Sequence, residues 1–188
     1  MSEEMKIKVA MPEILGLLLV SFIALMVGLV SLGVGDAANS MGMVFAFLPF
    51  AALLFLIVTI ACYLNDNMFG TALFGILTVF FYGLPVVVGG APGFTDIALF
   101  VFFGAVFLLA MTFVSLAQPV KMVTGVIGLA ALTFLFLGVW LWTDFTDASA
   151  IWGVLTGVFG LLAGLLAMYL PIAILYNTMK GQNTLPLM

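Results

Sequence analysis

The chain has 188 residues, of which 66% are hydrophobic and 6% charged, with a formal charge of −4 and no histidine. Soluble domains carry about 45–50% apolar and about 25% charged residues, so 12 charges are too few to face water around a 20.0 kDa chain. That excludes a soluble globular domain, a disordered chain and, with four lysines and no basic patch, a nucleic-acid binder, leaving an integral protein of the lipid bilayer.

A membrane-crossing helix needs roughly 20 mainly apolar residues. In chain order, the first such run is predicted over Ile14–Val34, with Pro12 at its start, where proline is tolerated. It exceeds the ~7–15-residue apolar core of a signal peptide and reads as a span. Gly35 to Ser40 break the pattern, and a second span is predicted over Met43–Tyr63, containing Pro49. Asn65, Asp66 and Asn67 turn the chain into a third span, Phe69–Val88, with Pro85 near its end. Gly89 to Gly93 precede a fourth span, Ile97–Leu116, and Gln118-Pro119 precede a fifth, Met122–Trp142. Thr143 to Asp147 lead to the sixth, Ala150–Tyr176, which holds Pro171. These runs are twice the ~10 residues of a membrane strand and do not alternate, so a β-barrel is not expected. The expected class is all-α: one six-span bundle over residues 1–188, with a short N-terminus (1–12) and a short tail (177–188).

Orientation follows from the charges. Lys6, Lys8, Lys121 and Lys180 all fall on one side of a six-span layout, while Asp36, Asp96, Asp144 and Asp147 fall on the other. The positive-inside rule puts the lysine side, and both termini, in the cytoplasm of a cell-membrane protein.

None of the predicted spans carries an ionisable side chain well inside it, which argues against an ion pump or voltage sensor. Without histidine and with one cysteine, Cys62, the chain builds no haem, Cys/His metal or Ser-His-Asp site, and neither an enzyme nor a cofactor is expected. Cys62 reads as a buried small apolar residue. The polar atoms at membrane depth are hydroxyls such as Ser21, Thr59, Thr112, Ser115, Thr124 and Thr156, expected to bond helix carbonyls or a neighbouring helix. Thr71 and Thr78 are seven residues apart and share a helix face that is a candidate path lining. The phenylalanines offer a hydrophobic constriction, which gates by dewetting. Gly153, Gly157, Gly160 and Gly164 form a small-residue stripe fit either for packing within the subunit or for an interface between subunits.

Three stretches resemble the acetate uptake transporters. Between spans 2 and 3 the family reads E-Y-x-x-G-N-x-F-G; here Tyr63, Asn67, Phe69 and Gly70 match and Cys62 replaces the glutamate. At the end of span 6, Tyr169, Leu170, Asn177, Gly181, Leu185 and Pro186 keep the family spacing. Pro12, Leu15, Gly16 and Leu17 match N-P-x-P-L-G-L at span 1, without its asparagine and second proline. The resemblance implies six helices per subunit, a homo-hexamer, and passage of acetate-like small monocarboxylates as a channel or by proton symport. It also implies a hydrophobic girdle, whose positions fall on Val20 (with Phe22 close by), Leu77 and Leu132, all aliphatic apart from Phe22. The glutamate that the family carries late in span 6 is Ile174 here.

The expected lining is therefore Val20, Phe22, Leu77 and Leu132, with Asn67, Thr71, Thr78 and Thr133 as polar contacts. Two alternatives stand beside acetate transport. One is a channel for a small neutral solute (urea, a short amide, ammonia or water). The other is a non-transporting accessory subunit that assembles through its glycine stripe.

Overall fold

The computed structural model describes residues 11–34, 37–90, 93–143 and 150–187. Among them are six α-helices: α1 (Pro12–Ser31), α2 (Ala37–Leu64), α3 (Met68–Gly90), α4 (Phe94–Ser115), α5 (Lys121–Trp142) and α6 (Ala150–Lys180). All six are long and apolar enough to cross a membrane, so the chain is a multi-pass membrane protein. The predicted spans are these helices to within a few residues. The largest differences lie at the ends of α2 and α6, which run beyond the purely apolar stretch into polar sequence. Lys6, Lys8, Asp36, Asp144 and Asp147 lie outside the described residues.

Each helix packs on its neighbours in sequence, and α6 returns to pack on α1, so the six close a ring. The closest approach is between α1 and α6, and glycine makes it. A Cβ on Gly160 would stand 3.1 Å from the Cα of Gly28 and 3.2 Å from the carbonyl oxygen of Ala24. One on Gly28 would stand 2.8 Å from the backbone nitrogen of Leu161. Gly157 and Gly164 lie under Leu32 and Leu25 of α1, and Gly153 lies under Trp140 of α5. Helices in lipid gain little from the hydrophobic effect and associate by such close backbone packing. The Ser21 hydroxyl adds a bond across this pair, donating to the Gly164 carbonyl at 2.8 Å. Of the two readings of the glycine stripe, the structure supports packing within the subunit.

The hydroxyls behave as helix geometry dictates. Thr59, Thr112 and Thr156 donate to the carbonyls four residues back at 2.8 Å. Ser115 and Thr124 bond each other at 3.0 Å across the α4–α5 pair. Cys62 is fully buried.

The tail motif is a stitch. Gly181 takes φ +66° just past the end of α6, a backbone that favours glycine. The chain then folds back, and the Asn177 side chain holds it. Asn177 Oδ1 accepts from the backbone N–H groups of Thr184 and Leu185 at 2.9 and 2.8 Å, and its Nδ2 donates to the Leu185 carbonyl at 2.8 Å. Tyr169 donates its hydroxyl to the Pro186 carbonyl at 3.1 Å. Leu187 then packs against the apolar group of Leu17, Val126 and Leu170. Each net hydrogen bond contributes about 1 kcal/mol. Asn177→Ala removes three of them and is expected to free the tail, so that trypsin cuts after Lys180 at least tenfold faster than in the parent protein, read by mass spectrometry. Equal cleavage rates would show that the apolar contacts alone hold the tail.

Candidate functional site

A cavity of about 80 Å³ lies on the ring axis. Three helices give it regular stripes: Leu17, Val20, Ala24 and Val27 from α1; Leu73, Leu77, Phe81 and Leu84 from α3; Val123, Ile127, Ala130, Phe134 and Leu137 from α5. Val44, Phe45 and Leu48 of α2 and Val101 and Leu108 of α4 complete the wall. At 1.5 Å per residue these stripes extend for roughly 15–20 Å, about half of a ~30 Å hydrocarbon core. A small volume drawn out over that length is a thin slot.

The wall is almost wholly carbon. Thr133 is its only lining residue with a polar side chain, and that hydroxyl donates to the Leu129 carbonyl at 2.9 Å. Pro49 and Pro85 remove the backbone donors to the carbonyls of Phe45 and Phe81. Even so, the wall presents practically no polar surface, so those carbonyls do not open on it. A water needs two to four polar partners to settle in a cavity, and this one supplies almost none.

At one end a vestibule of about 210 Å³ adjoins the slot and shares Leu17, Leu73, Phe74 and Val123 with it. Its wall adds Glu13, Asn67, Phe69 and Gln118. Asn67 caps α3: its Oδ1 accepts from the Gly70 N–H at 2.9 Å. Its Nδ2 donates to the Glu13 carboxylate. Gly70 is required because a Cβ there would stand 2.8 Å from Cys62 Sγ and 2.9 Å from Asn67 Nδ2. Gly16 is required because a Cβ would meet the Phe74 ring at 2.4 Å. Phe74 therefore crosses directly over α1, between vestibule and slot, and leans on Phe55 with ring centroids 5.9 Å apart.

The sequence-derived candidates divide. Val20, Leu77 and Thr133 line the slot, and Asn67 and Phe69 line the vestibule. Pro12 is buried at the first helical position of α1. Tyr169 and Asn177 hold the tail. Phe22, Leu132, Thr71 and Thr78 are not among the residues lining the slot. Each helical residue advances the side chain by about 100°. Phe22 and Leu132 each stand two residues from a slot-lining neighbour, Val20 and Ala130, on nearly the opposite face. Phe22 is 49% exposed and meets Phe47 edge-on at 5.0 Å. Thr71 and Thr78 lie on the flank of α3 and donate to the Asn67 and Phe74 carbonyls at 2.8 Å.

Aromatic rings join the aliphatic residues on the wall. Phe74, Phe81 and Phe134 line the slot, and Phe80 stands behind them, 5.1 Å from Phe134 and 5.6 Å from Phe81. Phe74 and Phe81 stand three and four residues from Leu77, and that helical spacing was the available signal. Glu13 was missed because the apolar run starts at Ile14, whereas α1 starts at Pro12 and carries Glu13 in its first turn. Among the described residues, no group of His, Cys, Asp and Glu is placed to hold a metal ion.

Fold and site together define a six-span helical membrane protein with an apolar-walled cavity and, among the described residues, a vestibule carrying Glu13, Asn67 and Gln118 at one end of it. The same fold occurs in the solved structure of the bacterial acetate channel SatP, with a TM-score of 0.82 and 22% sequence identity over 96% of this chain and 100% of that one. No protein-family model matches the chain, and no curated relative matches it.

Proposed function

We propose that the chain provides a path for acetate and similar small monocarboxylates across the membrane, as a channel or together with a proton. The observation that carries this reading is the axial slot, opening on a polar vestibule, in a fold shared with an acetate channel. Burying a carboxylate without compensation costs far more than burying a neutral carboxyl group. A carbon-walled slot therefore favours the undissociated acid over the anion. Val20, Leu77, Ala130 and Phe134 form the proposed constriction, and Asn67 stands at its mouth.

The vestibule lies at the end where Lys121 starts α5 and Lys180 ends α6, while Asp96 lies in the first turn of α4 at the other end. By the positive-inside rule we place the vestibule, with both termini, on the cytoplasmic side. A homo-hexamer, with one path in each subunit, follows from the family resemblance; native mass spectrometry in detergent tests it as six times the 20.0 kDa chain.

The deciding experiment is acetate flux into proteoliposomes with the leak of protein-free vesicles subtracted. The expected result is protein-dependent uptake that grows as external pH falls. Vesicles indistinguishable from protein-free ones in both pH-gradient directions would overturn the reading. A second reading, passage of a small neutral solute, is favoured by the same uncharged wall; urea and formamide measured in parallel separate the two.

A further inference from the structure

Three helices begin at the vestibule: α1 at Pro12, α3 at Met68 and α5 at Lys121. Helix beginnings carry partial positive charge and unpaired N–H groups, so this mouth would attract an anion. The side-chain amide best placed to receive a carboxylate there is Asn67 Nδ2. That amide is already engaged, because it donates to the half-buried carboxylate of Glu13. The chain's own carboxylate thus stands where the carboxylate of an arriving acid would bind, directly before the slot.

We propose that Glu13 is the specificity-determining residue of the mouth: its carboxylate occupies the Asn67 position, turns away carboxylate anions, and leaves the undissociated acid as the form that enters. The inference rests on the transport reading and names the form of the substrate.

Among the described residues, the basic groups nearest this mouth have other partners than Glu13. On α2 the near group is Cys62, within electrostatic reach of Glu13, and the α2–α3 turn adds Asp66. From the α4–α5 connection comes Lys121, whose Nζ donates to the Leu116 and Gln118 carbonyls at 2.6 and 3.1 Å. On α6 the vestibule meets Ile174, and Lys180 further along lies over the Tyr176 ring, 5.9 Å from its centroid.

The test is acetate flux in proteoliposomes at pH 5 and at pH 7.5, taken as the ratio of the second to the first so that differences in reconstituted protein cancel. In the parent protein the ratio is expected to follow the undissociated acid, a fall of close to tenfold per pH unit above the acid's pKa. Glu13→Gln removes the repelling charge, while its amide oxygen still accepts from Asn67 Nδ2, so an anion can gather at the mouth and the ratio is expected to rise at least fivefold. Glu13→Asp is expected to keep the parent ratio. Asn67→Asp retains an α3 cap, adds a second carboxyl that also repels anions, and is expected to keep the parent ratio. Equal ratios in the parent and Glu13→Gln would overturn the role of Glu13, as would a parent flux independent of pH. Absence of protein-dependent flux at pH 5 in the parent removes the transport reading itself, and this inference with it.

Discussion

Ala130→Phe is expected to lower acetate flux at least tenfold. Ala130 faces the slot from α5, between Ile127 and Phe134, and the free space there is only about 80 Å³. A phenyl group added at that position takes up much of that space. Overpacking costs about 1–3 kcal/mol, which a bundle of six long helices is expected to bear, so the variant should still elute as the parent does. Flux per reconstituted subunit is the readout. An Ala130→Phe protein that folds and transports like the parent would move the path off the axis. The next place to look is the groove between α3 and α4, lined by Phe80, Phe100 and Gly104.

Gly28→Leu and Gly160→Leu are expected to destroy the fold rather than the path. At both positions an added Cβ meets backbone: Leu161 nitrogen at 2.8 Å from Gly28, and Gly28 Cα at 3.1 Å from Gly160. A flexible side chain could turn aside, but two helix backbones cannot. Separating α1 from α6 also strips Ser21 of its bond to Gly164. The cost is expected at or above the ~3 kcal/mol upper end for overpacking, seen as loss of monodisperse protein on extraction. Gly89→Ala, whose Cβ would meet nothing within 4 Å, is the matched control and is expected to behave as the parent. Normal recovery of the two leucine variants would mean that the α1–α6 pair is not what closes the ring.

The six spans were legible because hydrophobic length is a strong signal and the breaks between runs are polar or rich in Gly and Pro. The side of each helix that faces the axis was not. In a soluble helix the apolar stripe marks the core, but a membrane helix is apolar all round. Leu132 and Ala130, or Phe22 and Val20, therefore read alike, and only the packed structure separates them. The hydroxyls at Thr71 and Thr78 misled for a related reason: a threonine in a helix can satisfy itself on its own backbone and need not face a solute. The tail motif was legible as a pattern but not as a device, since the bonds of Asn177 reach past the end of α6 to residues up to eight positions on, in irregular chain. Glu13 escaped notice by two residues, the distance between the start of the apolar run and the start of the helix.

The ring is closed by its first and last helices, and this orders its biosynthesis. At about 5–20 residues per second, the roughly 120 residues between the end of α1 and the start of α6 take on the order of 6–24 s to make. Throughout that interval α1 lies in the lipid with Gly28 uncovered, and the wall around the slot lacks its support. A ribosome that stalls before Ala150 leaves five helices in which α1 and α5 both lack a main packing partner. Such a nascent chain is a substrate for membrane quality control rather than a leak, because the barrier and the path through it are completed by the same final docking event.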